Sequence, residues 1–301
     1  LNLAGIYPPL TTPFVDGRLA ADLLAANIAR YQRHRLAGYL VLGSTGEAAL
    51  LDDGERLAVL RAARAAIPGD RTMIAGVGLE STAATIRLAS AAAECGADAL
   101  LVVTPSYFRA QMSEEALVRH YTAVADAARR PVLLYNVPQF TGVTIPPAAV
   151  ARLAQHPNIA GLKDSSGDLA WLAAVLAAVP PMFRVLCGNA SVIHAALAAG
   201  AVGGILALAD VAPEPCVALF ELQRAGRTEA AIALQQRLLA AADLIVGRLG
   251  VAGVKTGMDE RGLAGGPVRA PLLPLGPGER AAVRECLTAL AAQGDIAAIA
   301  L

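Results

Sequence analysis

CGADALLVVTPSYF, residues 95–108, carries three signals in one short stretch. Gly96 closes an Ala-rich helical pattern that begins near residue 81. The run from Asp98 to Thr104 is apolar at nearly every position, which is how a strand covered on both faces reads. Thr-Pro-Ser then opens a loop. Working outward in both directions, the same unit recurs. Further strands are predicted at 4–10, 38–43, 72–77, 131–136, 159–163, 183–188 and 202–208, making eight with 98–104. Helical patterns lie between them at 22–35, 52–66, 81–95, 113–128, 147–155, 168–179 and 190–199. Asp52, Ser113 and Asp168 suit their starts, and Gly38, Gly69, Gly96 and Gly200 follow their ends.

Strand alternating with helix eight times, with near-continuous apolar strands, predicts a (β/α)8 TIM barrel over residues 1–225. Beyond that point only helical periodicity remains, interrupted by the Gly/Pro-rich connector LAGGPVRAPLLPLGPGE at 263–279. Residues 226–301 are therefore expected to form a C-terminal helical appendage, too short to stand alone and packed on the barrel or on a neighbour.

The bulk composition narrows the partners. With 55% hydrophobic residues, 17% charged and 25 basic residues balancing 25 acidic ones, the chain reads as a globular protein with a large core and no attraction for nucleic acid or anionic membrane. Apolar runs are broken by Gly, Pro or a charge before the ~18 residues of a membrane span. The N-terminus lacks the basic-then-apolar pattern of a secretory signal, so a cytoplasmic location is expected; starting at Leu rather than Met leaves room for a removed leader. Cys95, Cys187, Cys216 and Cys286 are scattered without C-x-x-C spacing and read as free thiols in a reducing compartment. His34, His120, His156 and His194 form no metal-ligand spacing, so neither a metal nor another cofactor is expected.

Only two lysines occur, Lys163 in GLKDSSGD and Lys255 in GVKTGMD. Arginine does not lose its proton near neutrality, whereas a desolvated lysine becomes a nucleophilic amine. In a barrel of this kind the active site lies at the C-terminal ends of the strands. Those ends hold Thr11, Thr12, Ser44, Thr45, Thr104, Tyr107, Tyr135, Lys163, Ser165, Gly188 and Asn189. Lys163 ends the sixth strand, where burial suits Schiff-base formation with a carbonyl; the plainer alternative is a salt bridge to Asp164 or Asp168. GSTGE, residues 43–47, offers hydroxyls and backbone N–H groups where a strand turns toward a helix, a nest for a carboxylate or simply a glycine-bearing turn. Tyr107 and Tyr135 are either packed aromatics or acid–base groups. Lys255, beyond the eighth strand, is given a solvated or packing role.

GIYPPLTTPF, GSTGE, VVTPSYF, LLYNVPQFTG, GLKDSSGD and GAVGGILAL together resemble the N-acetylneuraminate lyase and dihydrodipicolinate synthase superfamily of class I pyruvate aldolases, in register along nearly the whole barrel. EST, HYTAVAD, QHPNIAGLKDSSGD and GGPVRAPL look most like 4-hydroxy-2-oxoglutarate aldolase. The resemblance implies Lys163 as the Schiff-base amine, with Ser44, Thr45 and Gly46 holding the 2-oxo-acid carboxylate. It implies Tyr135 as acid–base group, Tyr107 completing the relay from an adjacent subunit, and Ser165, Gly188 and Asn189 contacting substrate. The implied reaction is cleavage of 4-hydroxy-2-oxoglutarate to pyruvate and glyoxylate; a dihydrodipicolinate synthase-like or sugar-acid aldolase is the alternative. The implied assembly is a homotetramer, a dimer of dimers. Two departures bear on substrate: Phe140 stands where the synthases carry a carboxylate-gripping arginine, and Thr45 replaces an asparagine of the oxoglutarate aldolases. A phosphosugar barrel using GAVGG, or a non-catalytic barrel, are the rivals outside the superfamily.

Overall fold

The computed structural model, which describes residues 2–292, contains eight parallel strands: β1 (Gly5–Tyr7), β2 (Gly38–Val41), β3 (Thr72–Gly76), β4 (Ala99–Val103), β5 (Val132–Asn136), β6 (Ile159–Asp164), β7 (Arg184–Cys187) and β8 (Gly203–Ile205). They run in the order β1-β8-β7-β6-β5-β4-β3-β2. The two ends meet, since Ala37 N donates to Ile6 O (3.0 Å), Leu40 N to Pro8 O (3.1 Å) and Leu10 N to Leu40 O (2.9 Å). The expected (β/α)8 barrel is present and nearly closed. β1 is shorter than the 4–10 read from sequence because Pro8 and Pro9 have no N–H to extend the ladder.

Alternation along each strand divides the core. Leu3, Tyr7, Leu40, Ile74, Ala99, Leu101, Leu133, Leu186 and Ile205 fill the barrel interior. The residues between them, such as Leu100, Val102, Val132, Leu134 and Leu162, face outward into a larger cluster shared with the helices. Strands wanted on both faces must be apolar throughout, which is why ALLVV shows no polar alternation.

The intervening helices start where caps were expected. Asp52 accepts from Glu55 N (2.8 Å) while Glu55 returns a carboxylate to Asp52 N (3.1 Å), a full capping box on Asp53–Ala66. Ser113 and Asp168 cap Glu114–Ala127 and Leu169–Ala178 in the same sense. Gly38, read both as following a helix and as opening the strand at 38–43, is the first residue of β2, where a Cβ would lie 2.1 Å from Thr72 O. Small elements escaped the sequence reading, among them the hairpin of Phe14–Val15 with Arg18–Leu19 and the turn of helix Pro138–Thr141 beside β5.

After β8, helix Pro213–Arg224 covers the barrel, followed by Thr228–Ala241, a π-helical continuation Ala242–Arg248, Gly250–Glu260 and Pro277–Ala292. The run Thr228–Arg248 is long and apolar enough for a membrane span by length and composition, with a mean hydropathy of 1.3. Its Ala231, Leu234, Leu238, Ala242 and Ile245 are buried in the protein core. Residues 293–301 of the predicted appendage lie outside the described residues. All four cysteines are free thiols, Cys187 and Cys216 buried.

Candidate active site

β6 brings Lys163 to the mouth of the barrel. Its register partners are Tyr135 on β5 and Leu186 on β7. Partners in parallel register share a face, so amine and phenol both project into the barrel interior with Leu133 and Leu186 below them. Lys163 and Tyr135 are 4% and 5% exposed, and the Lys163 Nζ lies 4.3 Å from the Tyr135 ring centroid. Burial alone would raise the Tyr135 phenol, but the Lys163 charge and hydrogen bonds with Ser44, Ser165 and Lys163 more than offset it. The phenol is held below the usual tyrosine range.

The salt-bridge alternative for Lys163 fails. Asp164 accepts from Asn136 Nδ2 (2.8 Å), Ser166 N (3.1 Å) and Ser166 Oγ (2.9 Å), and burial pushes its carboxyl up. Asp168 accepts from Trp171 N (2.9 Å) as a helix cap. Among the described residues Lys163 makes no ion pair.

Gly188, at the end of β7, leaves room for the amine: a Cβ there would lie 2.0 Å from Ser165 Oγ and 2.9 Å from Lys163 Cε. Ser165 is thus packed beside Tyr135 and Lys163. Asn189 folds over the β6 loop, its Nδ2 2.7 Å from where a Gly167 Cβ would be, and its Oδ1 accepts from Ser191 N (2.9 Å). Gln139 ties the 138–141 turn to the same loop through Ser165 O (2.8 Å).

Across the mouth, the 43–47 loop is tightly wound. Gly46 N donates to Gly43 O (3.1 Å), Glu47 N to Ser44 O (3.0 Å), and Thr12 Oγ1 to Gly46 O (2.6 Å). Gly46 is buried there, 2.8 Å between its absent Cβ and Leu10 O. Ser44 and Thr45 are half-buried, and Thr45 has no hydrogen bond among the described residues, leaving its hydroxyl for a ligand. Thr11 spends its hydroxyl on Met258 Sδ (3.2 Å), and the buried Thr104 Oγ1 has no partner.

Tyr107 is not joined to Tyr135 within one chain. It is 81% exposed, its ring edge-on to Phe108 at 5.0 Å, and its hydroxyl is unpartnered among the described residues. Glu80 fixes its backbone, accepting from Ser106 N, Ser106 Oγ and Tyr107 N at 2.9 Å each. Burial raises the Glu80 carboxyl, and these three donors outweigh it, holding it low.

Sequence reasoning missed several of these residues. Glu80 and Gln139 carry no local signal. Asp210 follows β8, is fully buried with neither oxygen partnered, and burial pushes it well up against the opposing charge of Lys163. Lys255 is not solvated: it is 1% exposed, and Glu47 Oε1 lies 2.5 Å from its Nζ. The rarity of lysine was the one available hint.

The model of the Dihydrodipicolinate synthetase family matches residues 2–290. A 4-hydroxy-tetrahydrodipicolinate synthase of Exiguobacterium sp. is 38% identical over 272 residues, covering 90% of this chain and 92% of the relative. An uncharacterized DapA-like lyase of Halobacterium salinarum is 37% identical over 96% of this chain and 95% of its own length. Among solved structures, the 4-hydroxy-tetrahydrodipicolinate synthase of Methylacidiphilum fumariolicum SolV superposes with a TM-score of 0.92 at 30% identity, covering 96% of both chains. YagE of E. coli K12, solved in complex with pyruvate, gives 0.90 at 31% identity over 96% of this chain and 98% of its own. These relatives carry synthase or lyase names, and the expected nearest likeness to 4-hydroxy-2-oxoglutarate aldolase has no counterpart among them. With the match spanning barrel and appendage alike, the chain belongs to the dihydrodipicolinate synthetase family.

Proposed function

We propose that this protein is a pyruvate-dependent carbon–carbon lyase or synthase working through an imine on Lys163. The observation that carries it is a buried lysine without an ion-pair partner among the described residues, stacked on a phenol whose pKa its charge helps to depress. The Lys163 amine adds to the ketone of a 2-oxo acid and water leaves. The protonated imine draws electrons from the bond two carbons away, so that an aldol bond breaks, or forms in reverse. Tyr135 takes the proton from the 4-hydroxyl in cleavage and returns it in condensation, passing it through Ser44. The hydroxyls and N–H groups of residues 44–46 hold the pyruvyl carboxylate. Tyr107 reaches the relay of a second copy, which makes the working unit a homo-oligomer, in the expected form a dimer of dimers.

For the second substrate, the relatives' names favour condensation of pyruvate with aspartate semialdehyde. One observation favours cleavage of 4-hydroxy-2-oxoglutarate instead: Phe140, 68% exposed on the 138–141 turn, offers no charge to an aldehyde's carboxylate. Two assays run in parallel decide, one of pyruvate release from 4-hydroxy-2-oxo acids and one of aspartate semialdehyde condensation. Whichever reaction dominates, Lys163→Ala should abolish it. Phe140→Arg should raise kcat/KM for aspartate semialdehyde roughly ten- to a hundredfold, the worth of a charge-assisted bond of about 1.5–3 kcal/mol. Turnover of neither class by the native chain would contradict the proposal.

A further inference from the structure

We propose that Lys255 and Glu47 form a buried positioning pair through which the C-terminal helices hold the 43–47 loop in its carboxylate-binding shape. Neither residue touches the reacting atoms, and the inference rests on the proposed reading of that loop as the pyruvate carboxylate cradle.

The loop ends in a residue that needs holding. Glu47 adopts a left-handed backbone, φ 54°, which costs a non-glycine residue free energy and persists only when its surroundings over-determine it. Its side chain is 3% exposed and gripped at both oxygens: Oε1 pairs with Lys255 Nζ at 2.5 Å, and Oε2 accepts from Arg269 N at 2.7 Å. Both grips come from beyond β8. Lys255 sits on helix Gly250–Glu260 and also donates to Pro267 O (2.7 Å), and burial pulls it down from the usual lysine range. The connector is locked to that helix, because a Cβ on Gly265 would lie 2.0 Å from Lys255 O.

A second anchor runs through Arg269. Its guanidinium binds Glu55 at 2.6 and 2.7 Å and donates to Gly17 O (2.7 Å) and Leu50 O (3.1 Å). The Lys255 ammonium and the Arg269 guanidinium lie 4.4 and 4.2 Å from the centroid of the Phe14 ring. Phe14 in turn closes the segment whose Thr12 holds Gly46 O. The loop is thus pinned at consecutive residues, Gly46 by the β1 segment and Glu47 by the appendage. Removing either partner, or both, takes away the tie at Oε1 that over-determines the left-handed state, so residue 47 relaxes from it and carries Ser44 and Thr45 with it.

The test labels Lys163 reductively, using cyanoborohydride and two carbonyl probes: pyruvate, which bears a carboxylate, and hydroxyacetone, which does not. The chains are the native protein, Lys255→Met, and the double variant Lys255→Met with Glu47→Gln, which removes both buried charges so that the fold is kept. In both variants the half-saturating pyruvate concentration should rise about tenfold or more, the scale of a lost charge-assisted contact. The labelling rate at saturation and the half-saturating hydroxyacetone concentration should stay near native. An unchanged pyruvate response in the double variant, or a parallel loss for both probes, would overturn the positioning role. Failure of the native protein to label Lys163 with either probe would overturn the imine reading beneath it, a distinct result.

Discussion

Lys163 acts on Tyr135. Burial works against a charge on Tyr135, yet the phenol is drawn down because the Lys163 charge is beside it and three hydrogen bonds favour the ionised oxygen. The remaining tyrosines with a resolved shift, Tyr7, Tyr31, Tyr39 and Tyr121, are all pushed up by burial, Tyr7 and Tyr39 to about 12. An ultraviolet titration should therefore resolve an early phenol ionising below the free-tyrosine value of about 10 and missing from Tyr135→Phe. In Lys163→Met the charge is gone while burial remains, so the same phenol should move above that value. An early transition unchanged in Lys163→Met would break the link between the two groups. At this scale the sequence was legible in residue type: a lysine in an arginine-using chain stood out. The partnership was not, since adjacency of strands β5 and β6 has to be inferred before Tyr135 and Lys163 become neighbours.

Elements fix which side chains meet. The period of two along β5 and β6 turns Leu133, Tyr135 and Lys163 inward, and a slip of one residue would turn them out. β7 contributes by absence, since Gly188 leaves the space that Lys163 Cε and Ser165 Oγ occupy. Gly188→Ala should fold, with one methyl pressing first on the Ser165 side chain and then on the flexible end of the lysine, and should lose on the order of a hundredfold in kcat, the cost of displacing a reacting group by about 1 Å. The deficit should lie in imine formation, read by trapping rates, and a native trapping rate in this variant would show that the space is not needed. Strand positions were legible because apolar runs and capping residues such as Asp52 and Ser113 are local signals. The short hairpin and the turn at 138–141 were not, because turns there answer to the closure of the barrel rather than to their own neighbours in sequence, whereas the truncation of β1 is written in Pro8 and Pro9 themselves.

On the scale of the whole molecule, two features reach beyond the barrel. The appendage returns to the mouth through Lys255 and Arg269, contacts invisible to sequence reading because their partner Glu47 lies more than two hundred residues away. Tyr107 points outward, exposed next to Phe108, on a backbone that Glu80 holds rigidly. Under the proposed oligomer, sedimentation should find no monomer at assay concentration, and Tyr107→Phe should slow turnover while leaving assembly intact. A fully active monomer would refute the shared relay.

The central claim is that Lys163 is the reacting amine, and the scarcity of lysine makes its test direct. Pyruvate is added with borohydride, the protein is digested, and the reduced lactyl adduct is located by mass. Lys255 is sealed by Glu47 and Pro267 O, so only the peptide containing Lys163 should gain the adduct. Lys163→Arg should fold and gain none, because a guanidinium does not supply a neutral amine. An adduct on Lys255, or native turnover by Lys163→Arg, would contradict the account.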